Sequence, residues 1–229
     1  MLIHADFSQP VIITPEDYHW IRSPGGEVNR MMLDRIGQEK ARATSLVEFS
    51  ANSEFPEHNH PLGEEVLVLS GTFTENLQQD YPAGWYMRNP HQSTHQVSSQ
   101  TGCRIFVKLM QMTEDELHPT RIDTHDPKNW QVTQGRSICP LFTSNTEDTF
   151  LEKLQPQQVL RESLAHGVEI LVLLGELCAE SKIYPTGTWI RLPPLSTMQL
   201  CATDLGATIY VKSAHLPHAM SVWSDQASL

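Results

Sequence analysis

The sequence predicts an all-β protein made of two jelly-roll sandwiches in tandem, and three observations carry that expectation. Apolar runs are short and end in turn residues, as where Glu65-Val66-Leu67-Val68-Leu69-Ser70 meets Gly71, and such signals recur along the chain. The 229 residues include 15 prolines, which suits a turn-rich sandwich better than a helical bundle. The chain also repeats itself at an offset of about 104 residues, so one design is used twice.

Taken in order, Thr14-Pro15-Glu16-Asp17 is a helix start of a turn or two, with Thr14 as N-cap, Pro15 at the first position and Asp17 in the capping-box place. Ser23-Pro24-Gly25-Gly26 is a turn. Residues 28–36 and 41–49, joined across Gly37-Gln38-Glu39-Lys40, form a hairpin. The polar stretch 113–120, extending to about Pro127, is a linker. The two domains are therefore expected at residues 1–125 and 126–229, each burying sheet faces and edges that one unit alone would leave open.

The repeat is specific in its positions. Leu46-Val47-Glu48 falls on Phe150-Leu151-Glu152, and the run 65–71 falls on Glu169-Ile170-Leu171-Val172-Leu173-Leu174-Gly175. After a one-residue deletion, Tyr81-Pro82-Ala83-Gly84 falls on Tyr184-Pro185-Thr186-Gly187, and Arg88 and Pro90 on Arg191 and Pro193. At the full offset again, Gly102 and Phe106-Val107-Lys108 match Gly206 and Tyr210-Val211-Lys212.

The first copy carries a set of metal-ligand types. His58 and His60 are two residues apart, so on an extended backbone they point the same way. Pro61 and Gly63 turn the chain and Glu64 follows as a hard anionic oxygen; a second turn through Gly84 and Pro90 delivers His95. Three imidazoles and one carboxylate suit a divalent transition metal. In the second copy His58 becomes Glu162, His60 becomes Leu164, Glu64 becomes Val168 and His95 becomes Met198. Packing and turn residues persist there while every ligand position changes, so the second copy is expected to be structural or to bind something without metal.

These residues carry a family resemblance. The spacing His58-x-His60-x-x-x-Glu64 with Gly71 resembles the first cupin motif, and Gly84, Pro90 and His95 resemble the second, with Gln92 standing where cupins usually have glycine. From about Ser23 to Gln111 the chain resembles the cupin domain of the ChrR-type zinc-binding anti-sigma factors. The matching words are Leu33-Asp34-Arg35, Arg42-Ala43-Thr44-Ser45, Glu64-Glu65-Val66-Leu67-Val68-Leu69, Arg88-Asn89-Pro90 and Gly102-Cys103-Arg104-Ile105-Phe106-Val107-Lys108-Leu109. The resemblance implies metal ligation by His58, His60, Glu64 and His95, with zinc as the first choice of ion and iron, manganese or nickel as alternatives. It departs in lacking any cysteine before Cys103, whereas ChrR-type factors grip their sigma partner through a helical zinc domain with a His-x-x-x-Cys-x-x-Cys motif.

Charge and composition narrow the classes further. The formal net charge is −11, with 9 basic against 17 acidic residues up to His125 and 7 against 10 afterwards. An acidic chain without a clustered basic face repels phosphate backbones, so direct nucleic-acid binding is not expected. No apolar run approaches the roughly 18 residues that span a bilayer, and residues 1–6 lack the basic and apolar regions of a secretory signal, so a cytoplasmic protein without membrane contact is expected. Cys103, Cys139, Cys178 and Cys201 form no Cys-x-x-Cys pair, and Cys103 beside an apolar run reads as a buried thiol.

Two function classes fit. One is a regulatory or stress- and ligand-sensing protein with one metal site in its N-terminal cupin, a small-molecule ligand in that barrel, a regulatory protein partner and, as an option, a homodimeric state. The other is a metal-dependent dioxygenase of small diketones or phenolic ketones, as cupin relatives of the same type include such enzymes; Tyr86, Arg88 or His91 would then orient substrate. A purely structural or storage role also remains open, since fold does not imply function. Trp85, Tyr86, Arg88 and Phe106 read more simply as core or inter-domain contacts.

Overall fold

Alternating apolar and polar positions between closely spaced turn residues leave the backbone no period on which to build a long helix. The computed structural model describes residues 1–23, 28–38, 40–160 and 164–220, and its regular structure is dominated by antiparallel strands. The helix start at Thr14 yields a single 3-10 turn, Pro15–Asp17, closed by the capping box to Asp17. Of the turn Ser23-Pro24-Gly25-Gly26, the last three residues lie outside the described residues. The hairpin forms as Val28–Gly37 paired with Ala41–Phe49.

The chain divides into two compact units, one of residues Met1–Ala5 and His19–His125, the other of Asp6–Tyr18 and Asp126–Leu229. The stretch Asp6–Tyr18 thus groups with the second unit, where a cut after His125 alone would leave it with the first. Its short strand Val11–Ile13 pairs with Trp189, Ile190 and Arg191 and covers what would be an open sheet edge. The backbone carbonyl of Asp6 accepts from Arg191 at 3.1 Å, and the Phe7 ring lies 4.4 Å from the same guanidinium. The polar linker also holds structure: Thr120–Asp123 is a strand paired with Trp85–Asn89 of the first unit.

The repeat seen in the sequence is a repeat of geometry. Each unit has a 12-residue strand at its centre, Glu64–Glu75 and Val168–Ala179. Gly84 N–H donates to Val68 O and Gly187 N–H to Val172 O, both at 2.8 Å. Gly71 and Gly175 hold φ of 71° and 73°, and a Cβ on either would fall 2.0 or 2.1 Å from the carbonyl oxygen of Gly102 or Gly206. Only glycine meets both demands at once. One extra residue, Leu69 in the first unit and Leu173 in the second, bulges out of the pairing at the same place.

The interiors differ. In the second unit Val168, Ile170, Val172, Leu177, Ile190, Ile209 and Val211 form an apolar core, with Leu160 and Met198 packed against it. Val168 and Met198 stand at ligand positions of the first unit, so apolar packing fills the second interior. Around the equivalent of the strand Ser53–His60, the described residues show one isolated bridge, from Val159 to Cys201. Glu162 lies outside the described residues. Cys103 is buried as expected, and burial pushes its thiol up to about 11. The sulfurs of Cys178 and Cys201, on paired strands, lie 2.7 Å apart.

Candidate metal centre

His58 and His60 lie on Ser53–His60, which pairs with Ser93–Ser99 so that His95 sits opposite His58 and Ser93 opposite His60. Period-2 alternation puts both histidines of the first strand on the face shared with His95. The chain then reverses through Pro61 and Leu62, the latter at φ 52°, with Gly63 N–H donating to His60 O at 3.1 Å. That turn starts the central strand at Glu64. Gln92, in the place of a cupin glycine, still takes the left-handed conformation, φ 60°, and its N–H donates to His60 O at 2.9 Å.

His58, His60 and His95 form a group that could hold a metal ion, each offering a ligand atom within 4.8 Å of the others. Nε2 of His60 lies 2.8 Å from Nε2 of His95, and Oε2 of Glu64 lies 3.6 and 3.4 Å from those two nitrogens. Atoms that each sit at ~2.1 Å from one ion, at octahedral to tetrahedral angles, are roughly 3.0–3.4 Å apart, and these separations bracket that range closely enough for small side-chain shifts to bring the three atoms onto a shared ion. The tautomers suit it as well. Nδ1 of His58 donates to the carbonyl of Pro56 at 2.9 Å and Nδ1 of His95 to Oε1 of Glu75 at 2.8 Å. Each bond places the ring proton on Nδ1 and turns a free Nε2 lone pair inward.

Behind these ligands stands a supporting set that the sequence did not reveal: Glu75, Asn89 and Arg121. Arg121 donates to Glu75 Oε2 at 2.8 Å and to Asn89 Oδ1 at 2.6 Å, and the Asn89 amide donates to Glu64 Oε2 and Glu75 Oε1, each at 3.1 Å. Glu64 and Glu75 are an odd number of residues apart and would face opposite ways on an unbroken strand. The bulge at Leu69 shifts the alternation and puts both on the inner face. Arg121 comes from the strand hidden in the polar linker. A glycine directly after an apolar run was the sequence signal for the bulge.

Electrostatics follow from this wiring. Burial pushes the Glu75 carboxyl up, but the His95 hydrogen bond and Arg121 outweigh it and hold it at about 2. Burial pushes His95 down, yet its bond to Glu75 and the charges of Glu64 and Glu75 raise it above its ordinary 6.5. For His60 burial prevails over Glu64 and the pKa falls. Two consequences have opposite signs. Protonated His95 stabilises the metal-free fold below pH 6.5, and that contribution is lost as pH rises through its raised folded value. Ionised Glu75 stabilises above its ordinary 4.5, and that contribution is lost as pH falls from 4.5 toward 2.

Glu75→Gln therefore has a double expected outcome. Losing the carboxylate that orients His95 weakens metal affinity about 10–100-fold, read by competition with a chromophoric chelator. The melting temperature of chelator-treated protein should fall more shallowly between pH 4.5 and 2 than in the parent. An unchanged affinity would remove Glu75 from the site.

The substrate-orienting candidates are placed elsewhere. Arg88 pairs with Glu65 at 3.0 Å and with Glu116 at 2.6 Å, and Tyr86 is fully buried. In the pairing with Glu64–Glu75, Arg88 sits opposite Glu65 and Tyr86 opposite Leu67, on the face away from Glu64. Neither reaches the histidines, so the expectation that they orient a substrate is corrected. His91 Nδ1 accepts from Leu62 N–H at 3.0 Å and pins the turn before Glu64.

Comparison with known proteins agrees with this architecture. The family model of the ChrR cupin-like domain matches residues 8–113. A candidate dioxygenase from Nostoc punctiforme superposes with a TM-score of 0.68 at 13% identity, covering 89% of this chain and 82% of its own. Ylba from Escherichia coli gives 0.67 at 15% identity, covering 92% and 93%. The bacterial pirin YhhW from Escherichia coli, solved in complex with nickel(II), gives 0.64 at 11% identity, covering 90% and 98%. No curated protein matches by sequence. Among the described residues no helix is long and apolar enough to cross a membrane.

Proposed function

We propose, from the match of residues 8–113 to the ChrR cupin-like domain and from a fold shared with a conserved-barrel cupin structure, that the first unit of this chain is a mononuclear metal centre that binds a small organic molecule. His58, His60, Glu64 and His95 hold one divalent ion in this reading. The observation that carries it is a cavity of about 370 Å³ lined by His58, His60 and Glu64 at one end. A cavity of that size takes a small organic ligand, and an ion held by His58, His60 and Glu64 would be accessible from it, since these residues line it.

The bound ion would act as a Lewis acid on an oxygen function of the ligand. The chain's own part is positioning and exclusion of water. Glu75 and Pro56 fix the imidazole tautomers, and Asn89 holds the Glu64 carboxylate in place. Val47, Phe49, Phe55, Phe73, Val97 and Ile105 wall the cavity with apolar surface, which strengthens every polar contact made inside it.

A ligand-sensing or regulatory role, with zinc, is favoured by the likeness to the ChrR cupin-like domain. A dioxygenase role, with iron, is the second reading, favoured by the apolar cavity opening onto the ligand set and by the likeness to the Nostoc protein. Elemental analysis of protein purified without added metal or an affinity tag separates them. Near one zinc per chain supports the sensory reading and directs a search for a protein partner. Iron, manganese or nickel supports the second, to be followed by oxygen uptake with small diketones and phenolic ketones. No metal bound after incubation with any of the four ions sinks both.

A further inference from the structure

The cavity that meets the histidines carries Arg30, Arg35 and Lys40 in its lining, whereas Glu64, on the metal side, is the sole carboxylate among the described residues that line it. Three cations gathered in one cavity wall are unexpected in a chain of net charge −11. Both arginines belong to the strand Val28–Gly37. Five residues apart, they would point to opposite faces of a regular strand. The pairing with Ala41–Phe49 runs from Met32 opposite Ser45 directly to Asp34 opposite Thr44, so Leu33 is bulged out and the alternation shifts by one. The bulge is what brings Arg30 and Arg35 onto the cavity face together.

Neither guanidinium is a free surface charge. Arg35 is 9% exposed and donates to the carbonyl of Gln38. Arg30 is half-buried and has no hydrogen-bond or ion-pair partner among the described residues. Burial lowers the pKa of both, and Arg30 adds to the lowering of Arg35, so the two charges press on one another. A guanidinium stays protonated under such pressure, so the repulsion is relieved by an anion instead of by proton loss. Other buried cations here have found carboxylates, as Arg88 has Glu65 and Lys212 has Glu147. For Arg30 no described residue supplies one, and its place is open to a ligand.

We propose that the cavity binds a small organic acid, its carboxylate held by Arg30 and Arg35, its apolar body between Phe49, Phe55 and Ile105, and a carbonyl or hydroxyl oxygen directed to the histidine end. The oxygen-facing end rests on the metal-centre reading given above; the carboxylate-facing end stands on the arginines alone. Lys40, exposed in the lining, draws anions toward the opening.

The test uses two keto acids of different length, 4-oxopentanoate and 4-acetylbenzoate, each against its neutral amide, in calorimetric titrations of the metal-loaded and the chelator-treated protein. At least one acid should bind the loaded protein about tenfold or more tighter than its amide, since charge-assisted bidentate contacts discriminate at this level. Arg30→Gln with Arg35→Gln should abolish the preference, and Arg30→Lys with Arg35 intact should keep most of it; melting curves report whether each variant is folded. In chelator-treated protein the preference should persist while overall affinity drops. A persistent preference with no drop leaves the arginine assignment standing and removes the metal end. Equal binding of acid and amide, no binding of either acid, or a preference that survives the double substitution overturns the proposal.

Discussion

His60→Ala should take the metal content of the protein from about one ion per chain to near zero while leaving it folded. His60 is 5% exposed, and its Nε2 faces two other ligand atoms, 2.8 Å from His95 Nε2 and 3.6 Å from Glu64 Oε2. Removing it takes one donor out of a four-donor set and leaves two imidazoles and a carboxylate placed for a fourth group that is gone, so the ion is held more weakly and is lost to chelators. Two effects on stability add. Truncating a buried ring leaves a cavity, worth about 1–3 kcal/mol. Losing an ion present at about 100 times its dissociation constant removes roughly 2.7 kcal/mol more. The parent melting temperature should therefore drop on chelation, whereas that of His60→Ala should not respond to chelator at all. His166→Ala, in the second unit, should keep the full metal content. Unchanged metal in His60→Ala would sink the ligand assignment.

The histidines and the repeat were legible because both are written in short-range pattern. A pair two residues apart on an extended strand shares a face whatever the rest of the chain does, and Gly71 with Gly102 recurs as Gly175 with Gly206 because the same close approach of backbones recurs. What escaped the sequence was everything set by a bulge or an edge. An extra residue at Leu69 decides that Glu75 joins Glu64, and one at Leu33 decides that Arg30 joins Arg35. Each leucine is an ordinary apolar strand residue by type; where the extra residue sits is fixed by the partner strand. Arg88 and Tyr86 were open to either face for the same reason, until their register with Glu65 and Leu67 fixed them on the buried face away from Glu64. The strand Val11–Ile13 was invisible as a member of the second unit because its partner, Trp189–Leu192, lies far along the sequence.

Gly71→Ala puts that dependence on the bulge to its hardest test, with an expected loss of at least about 3 kcal/mol in unfolding free energy, the sum of a backbone penalty and a steric clash. The left-handed φ of 71° penalises any residue with a Cβ, by about 1–2 kcal/mol. The clash costs more: the new Cβ would lie 2.0 Å from Gly102 O and 2.9 Å from the Cα of Cys103, backbone atoms of the facing segment that no rotamer change can move. Either strand must shift, and the shift falls two residues past Leu69, between Glu64 and Glu75. Metal affinity should then decline along with stability, because the two carboxylates no longer share a face. Gly135→Ala isolates the backbone penalty. Gly135 has a φ of 76° and nothing within 4 Å of the added Cβ, so it should lose only about 1 kcal/mol and keep its metal. Thermal unfolding and chelator competition on the two variants decide the matter. If they lose equal stability, the close approach at Gly102 is not what holds the bulge, and the shared face of Glu64 and Glu75 needs another cause.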